Sequence, residues 1–313
     1  MATPTDILTS HGTRLQDRIA FSEIVFPAVE HIPDALIFSQ SKPVTMEIKS
    51  EAGSVSVPFV PELPASQIIE EGQEIPESAA QINSLNIFTF KITSLVTATN
   101  ESVEYDNNAS KIQTLLTWQM DKSVTNKADA VFLQNAPNED ANGIPDGPIG
   151  LFNLKGITQG GEIANGEGIT NALQNGLSVL VDALAKVSAK GAKPTSLIMN
   201  FGTWAQLLNL QYADYRPMIS PDVANAPIPM LYGLPVVINN AAPDNKILIN
   251  DANVVYSAIT DMRVSSSAHS KFSRDATQFR VTFRFGFGCT NPERLAVVSV
   301  YNPVPPKAKT TKA

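Results

Sequence analysis

From Glu104 to Gln134 the chain contains neither proline nor glycine. Apolar or semi-apolar residues recur there at Ile112, Leu116, Met120, Val124, Ala128 and Val131. Steps of four and three hold such residues on one face of an α-helix. The opposite face carries Lys111, Asp121, Lys122 and Lys127. A continuous helix over this range spans roughly 45 Å. A rod of that length with one apolar stripe needs a broad surface to lie on. The segments on either side read as strands, so that surface is expected to be a sheet.

Composition narrows the setting. The 313 residues suffice for one or two domains with a sizeable core. Only 17% of them are charged, against a usual ~25%. Sparse charge leaves less surface to solvate and fits burial against other copies. The net charge of −7 and pI near 5.1 exclude a global basic field for nucleic acid. The single cysteine, Cys289, excludes an intrachain disulfide and fits a reducing compartment. No basic-then-apolar leader opens the chain, and no apolar run has the length of a membrane span, so no membrane association is expected.

Before the helix the chain reads as an arm followed by a long loop. Residues 1–43 hold Pro27 and Pro33, which break any helix over Ile19–Val29. Val44, Met46 and Ile48 alternate with polar residues, as do Phe88, Phe90 and Ile92, and both stretches predict half-buried strands. Between them stand Pro58, Pro61, Pro64 and Pro76, and no helix is expected. Two strands joined by so long a connection predict a protruding hairpin, a kind of loop that is usually functional. Its charge is one-sided. Glu51, Glu62, Glu70, Glu71, Glu74 and Glu77 face no Lys, Arg or His between residues 51 and 90. One reading is a solvated acidic loop. The other is an arm that docks on a basic partner surface.

After the helix, Asn135–Gly150 is rich in Gly, Pro and Asn and reads as a domain crossing. A second helix is expected over Ile169–Ala189, with Leu173, Leu177, Leu180, Val181 and Leu184 on one face. Gly191 and Pro194 end it. Ser196–Asn200 predicts a buried strand, and Thr203 is placed to cap a short helix through Leu210. Leu234–Ile238 and Lys246–Asn250 predict further strands. Residues 151–250 thus read as a compact α/β or α+β unit. The last third is β-rich. Phe279, Val281, Phe283, Phe285 and Phe287 alternate with Gln278, Arg280, Thr282, Arg284 and Gly286, and Leu295–Tyr301 predicts another strand. Arg263, Lys271, Arg274, Arg280, Arg284 and Arg294 gather here against Asp275 and Glu293. The tail from Pro303 to Ala313 is expected to be mobile.

Signatures of chemistry are missing. His11, His31 and His269 show no metal-ligand spacing and no cysteine cluster. No G-x-S-x-G surrounds a serine. Gly160–Gly168 lacks the Lys-Ser/Thr of a phosphate loop and reads as a flexible turn. Asp140–Asp146 lacks the ligand spacing of a calcium loop. Trp118 and Trp204 fall in expected helices and read as packing residues. No cofactor, metal or catalytic residue is expected, although abundant carboxylates keep a soluble α+β enzyme or binding module open as a distant alternative.

The order of parts, together with six short motifs, resembles the major capsid protein of tailed bacteriophages, the Hong Kong phage capsid fold. Glu71–Ser78 (EGQEIPES) looks like that family's Glu-Gly, Ile-Pro-x-Ser segment in its extended loop. Gly147–Leu151 (GPIGL) resembles its Pro-x-Gly-Leu turn after the spine helix. Ser196–Asn200 followed by Thr203–Leu208 resembles its buried strand, Asn and helix. Tyr212–Pro217 (YADYRP) resembles its Asp-x-x-Gly-Arg-Pro turn, with Tyr215 where Gly is usual. Leu231–Val237 (LYGLPVV) is similar to its Leu-x-Gly-x-Pro-Val strand, and Phe272–Arg284 to its closing strand.

The resemblance implies an α+β fold: an N-terminal arm (1–43), an extended β-hairpin loop (44–92), a peripheral domain with the spine helix (93–150 and 251–303), an α/β axial domain (151–250) and a flexible tail (304–313). It implies a structural, non-enzymatic virion protein that assembles in the host cytoplasm into hexamers and pentamers of an icosahedral head. Its partners are then other copies of itself, a portal, a scaffolding protein, in some members a decoration protein, and packaged double-stranded DNA bound without sequence specificity. An encapsulin-type compartment is the nearest alternative. Two departures qualify the likeness. Gly72 stands where some members carry a crosslinking lysine, so no isopeptide weld is expected. Only about forty residues precede the first expected strand, so a separate scaffold is expected. The inter-subunit candidates are Glu70, Glu71, Glu74 and Glu77 against Arg274, Arg280 and Arg284 of a neighbour.

Overall fold

The computed structural model describes residues 7–8, 35–44, 54–61, 68–69, 81–100, 109–137, 147–164, 177–210, 219, 229–259 and 262–301. The long helix, α2 here, covers Ala109–Gln134 and ends where expected. Its 26 residues make about seven turns. Residues 101–108, the start of the expected helix, lie outside the described residues. The buried stripe runs through Met120, Val124, Ala128 and Phe132, with Leu133 beside it. Val131, the expected last member, is only half-buried. In the final turn Phe132 and Leu133 take the buried positions instead.

The first sheet lies under this helix, as the stripe requires. Its order is β1-β5-β13-β11-β2, with β12 paired to β13 beside β11. The strands are β1 (Ile7–Leu8), β2 (Lys42–Pro43), β5 (Phe90–Thr99), β11 (Val255–Ile259), β12 (Arg263–Lys271) and β13 (Ala276–Cys289). The alternation read in β13 is realised. Phe279, Val281, Phe283, Phe285 and Phe287 are buried in the core shared with α2. Phe283 and Phe285 stack at 5.4 Å, and Phe287 meets Phe132 of the helix edge-on at 4.9 Å.

Before β5 stands a separate hairpin, β3 (Ser54–Phe59) with β4 (Asn83–Phe88). The sequence reading placed its strands at Val44–Lys49 and Phe88–Ile92. Val44 is not in a strand, and residues 45–49 lie outside the described residues. The second stretch divides at Thr89, where β4 ends and β5 begins. The hairpin strands themselves, with Val55, Val57 and Ile87 buried, fall in the stretch expected as loop.

The second sheet runs β6-β14-β10-β7-β9-β8. It comprises β6 (Thr158–Ala164), β7 (Ser196–Met199), β8 (Met230–Leu231), β9 (Leu234–Ile238), β10 (Lys246–Asn250) and β14 (Ala296–Tyr301). The expected strands at Leu234–Ile238 and Lys246–Asn250 are found as read, and that at Ser196–Asn200 lacks only its last residue. Ala296–Tyr301 pairs with β10 and β6, so it joins the unit of residues 151–250 rather than the first sheet, as the boundary 251–303 had placed it. Gly160–Ala164, expected as a flexible turn, is strand; the register shift between Val297 and Val298 makes Gly160 the extra residue, and Gly161 next to it has a φ of +118°.

Two helices cover one face of this sheet. The first, α3, spans Ser178–Ala189 rather than Ile169–Ala189. Leu177 is its N-cap, and residues 169–176 lie outside the described residues. Its buried side is Leu180, Ala183 and Val187, while Val181 faces outward at 42% exposure. The second, α4, spans Phe201–Leu208. Its cap is Asn200, whose Oδ1 accepts from the Thr203 backbone N–H at 2.7 Å. The Thr203 hydroxyl serves the next turn of chain, accepting from the Asn245 N–H at 3.0 Å. Strict alternation divides the sheet between two cores. Leu197, Met199, Ile247 and Ile249 pack on the helices, whereas Ile198, Leu248 and Val297 enter the core of α2.

Residues 35–43 stitch these layers together. They include the one-turn helix α1 (Leu36–Ser39) and β2. The Leu36 N–H donates to Asp129 Oδ1 at 2.7 Å, and Asn239 Nδ2 donates to Asp129 Oδ2 at 2.8 Å. Ser196 Oγ donates to Gln40 Oε1, and Asn250 Nδ2 donates to the Gln40 carbonyl at 3.0 Å. Asp129 and Gln40 are buried, and these bonds offset the cost of removing them from water.

Candidate inter-subunit surface

The face of the first sheet turned away from α2 is the one on which two of the candidate arginines fall. In β13 it is formed by the alternate residues Gln278, Arg280, Thr282, Arg284, Gly286 and Gly288. The two glycines seat the hairpin. A Cβ on Gly286 would lie 2.2 Å from the Phe88 carbonyl oxygen, and one on Gly288 3.0 Å from Leu85 Cδ2. Only at glycine does the backbone of β4 come this close. Val55, Val57, Ile87 and Ala258 close a small third core at that root. The hairpin is therefore anchored at one end of the sheet face, and residues 60–82 connect its strands beyond the anchor.

The rest of that face is cationic. Register sets Arg280 beside Leu95 and Ser265, Arg284 beside Lys91, and Arg263 beside Thr282. Paired residues share a face, so Lys91, Arg263, Arg280 and Arg284 are brought onto one side. No Asp or Glu occupies those register positions. Arg280 is exposed, Arg284 is half-buried, and Leu95 beside Arg280 is 59% exposed.

Of the predicted site residues, Arg280 and Arg284 thus fall on one surface, two pleats apart. Arg274 stands away from it, exposed in the 3-10 turn Phe272–Arg274 at the tip of the β12–β13 connection. Phe272 beside it is 84% exposed. Glu70, Glu71, Glu74 and Glu77 lie outside the described residues. Sequence reasoning missed Lys91, which sits in an alternating strand opposite a recognised arginine. It also missed the seat made by Gly286 and Gly288, for which the Phe-Gly-Phe-Gly spelling at 285–288 was the signal.

The described residues hold little reactive chemistry. Among them no group of three or more His, Cys, Asp or Glu gathers as metal ligands would. None of their helices is long and apolar enough to cross a membrane. Burial pushes the Cys289 thiol up to about 12; a backbone hydrogen bond from Asn291 works against this, and the charge of Asp251 adds to it. Lys122 lies 5.3 Å over the Trp118 ring, which shields a half-buried indole on the outer side of α2.

The architecture has close counterparts among solved structures. The capsid of an empty GTA particle matches with a TM-score of 0.68 at 19% identity, over 90% of this chain and 94% of that one. A structure of Gordonia phage Cozz matches at 0.65 with 16% identity, over 86% and 87%. One of Mycobacterium phage Bobi matches at 0.65 with 16% identity, over 92% and 96%. No curated protein matches the chain. The long helix on a sheet, the rooted hairpin and the separate α/β unit are thus the phage major capsid fold, an α+β arrangement. The sequence profile of the phage capsid family matches residues 40–300, and the chain belongs to that family.

Proposed function

We propose that this chain is the major structural subunit of an icosahedral phage head, closing as hexamers and pentamers around double-stranded DNA held without sequence specificity. Assembly takes place in the host cytoplasm with a portal and a separate scaffolding protein. No catalytic role is proposed. Residues 1–43 act as the arm, 44–92 as the extended loop, 93–150 with 251–295 as the peripheral domain, and 151–250 with 296–301 as the axial domain.

The single observation that carries this reading is the hairpin rooted on Gly286 and Gly288. A hairpin fixed at its base, with a long acidic connection beyond it, is built to reach over a neighbour. Glu70, Glu71, Glu74 and Glu77 then meet Arg274, Arg280 and Arg284 of the next copy. One exposed pair contributes only ~0–1 kcal/mol, but a closed shell repeats it in every subunit.

Electron microscopy of the purified chain tests the reading directly. Closed particles with nuclease-protected DNA are expected from a phage head. Closed particles that enclose protein cargo and no DNA would identify an encapsulin-type shell, and a persistent monomer on sizing would overturn both. Because residues 51–90 hold no lysine, mature particles are expected to run as monomer on a denaturing gel. Reversing Glu70 and Glu71 to lysine is expected to raise the fraction of free capsomers and to abolish the salt sensitivity of assembly.

A further inference from the structure

Neither sheet is made from a continuous stretch of chain. β13 pairs with β5, β11 and β12, and β14 lies between β6 and β10. These joins reach far back along the sequence. The Thr93 hydroxyl of β5 donates to the Val281 carbonyl 188 residues on, and that of Thr158 in β6 to the Glu293 carbonyl 135 residues on. Without β13 and β14, among the described residues, β5 keeps only the two-residue β1, β11 only the two-residue β2, and β6 and β12 keep no partner strand. The cores depend on the same segment. Phe279, Val281, Phe283, Phe285 and Phe287 line the core of α2 with Leu295 and Val297, while Ala296, Val298 and Val300 enter the core under α3 and α4. Gly160 shows how closely β14 is fitted. A Cβ there would lie 2.5 Å from Val298 Cγ2 and 2.8 Å from the Cβ of Ala183 in α3.

We infer that residues 276–301 are a keystone: the subunit folds only once they have left the ribosome, and a growing chain is thereby kept out of assembly. Larger chains generally fold unit by unit, N-terminal unit first, during synthesis. Here neither unit is able to. The rod α2 packs on β5 and β13, and before β13 arrives its apolar stripe has no aromatic floor; a lone helix is marginal in water. The hairpin β3–β4 lacks its seat until Gly286 and Gly288 are made, and an isolated hairpin is marginal too. The strip β10-β7-β9-β8 is left, but its β10 edge is open, and α3, which packs on β6 and β14, has nothing to lie on. Only residues 290–295 separate β13 from β14, so both sheets close together. The consequence for assembly rests on the shell reading above. Growing chains on one message stand close together, and a copy without β13 offers no arginine face to a neighbour.

The full chain, followed by a linker of graded length and a translational arrest segment that is released when folding occurs beside it, tests the gate. Release is expected to stay at baseline while residues 276–301 are inside the ribosomal tunnel, and to rise several-fold at linker lengths that bring Tyr301 out. A rise at shorter linkers, with β13 and β14 still enclosed, overturns the inference. So does a rise at long linkers that survives both Phe285→Asp and Val298→Asp, since it then comes from another segment. Both side chains are fully buried, one in each core.

Limited proteolysis of the same arrested chains reads the folded state independently of release. The segments 177–210 and 229–259 are expected to be cut freely at short linkers and to resist at long ones, and resistance at short linkers overturns the inference. Purified chain bearing a fluorescent label is expected to join ribosome-bound copies only at the long lengths. Joining at the short lengths, or at neither length while the free chain forms particles, overturns the role in assembly. A purified chain that never forms particles removes the shell reading, and the assembly role with it, while the folding gate stands or falls by arrest release and proteolysis.

Discussion

The two sheets of this subunit are built from the same residue types but are buried differently. In the second sheet both faces are covered. β7 is buried throughout, as is β10 after Lys246, because one face meets α3 and α4 and the other enters the core of α2. In the first sheet the α2 face is closed, the hairpin covers only one end of the other face, and β13 alternates between buried aromatics and a face of Arg, Thr, Gln and Gly. A continuous apolar strand marks a sheet covered on both faces, whereas an alternating one marks a sheet with one face left to solvent. The comparison separates a covered sheet from one with an exposed face, and the proposed assembly contacts fall on the latter.

The difference is open to attack by substitution, beginning with the largest effect. Phe285→Ala removes a fully buried ring from the closed face, and a loss of about 3–5 kcal/mol is expected in denaturant unfolding. If the loss stayed below ~1 kcal/mol, the α2 face would not be the tight interior described here. Gly286→Val drives a side chain into the Phe88 carbonyl. It is expected to cost about 1–3 kcal/mol and to lower particle yield while the second sheet keeps its amide protection. Full assembly of this variant would show that the hairpin does not need its seat.

Asn200→Ala removes the α4 cap and should lower stability by about 1 kcal/mol, read from the thermal midpoint, with no change in assembly geometry. Arg280→Ala should leave unfolding within ~0.5 kcal/mol of the native chain yet weaken particle assembly, which is the signature of an open face. Finally, Cys289 is expected to resist thiol reagents in the folded chain at pH 8 and to react at once in denaturant. Its folded pKa lies above its unfolded value, so its contribution to stability is present below about pH 9 and is lost as pH rises toward 12. Rapid labelling of the native chain would show that the end of β13 is open.

The same contrast explains what was legible in advance. Leu234–Ile238 and Lys246–Asn250 are short apolar runs between turn residues, and their ends were read to the residue. The C-terminus of α2 was legible because the asparagine-, proline- and glycine-rich stretch from Asn135 follows it at once. In contrast, β3 was hidden, because SVSVPF holds Pro58 and buries only Val55 and Val57 against a small patch. Asn200 and Thr203 are both good caps by type, and only the backbone decides that Asn200 accepts. Val181 was assigned to the buried side of α3 because a helical stripe looks symmetrical in sequence, whereas the sheet covers only the Leu180–Ala183–Val187 side. The acidic and basic halves of the candidate contact were visible as composition. The surface itself was not, because pairing brings Lys91 and Arg263 from distant segments to flank the arginines of β13.

The strap of residues 35–43 has a mechanical consequence. Tension applied at its N-terminal end is divided at Leu36 and Gln40, passing through Asp129 into the rod and through Ser196 and Asn250 into the second sheet. Neither layer can be peeled away while the other stays seated. A subunit pulled from this end should therefore yield in one rupture rather than two, and force spectroscopy on a tethered chain would record a single extension step.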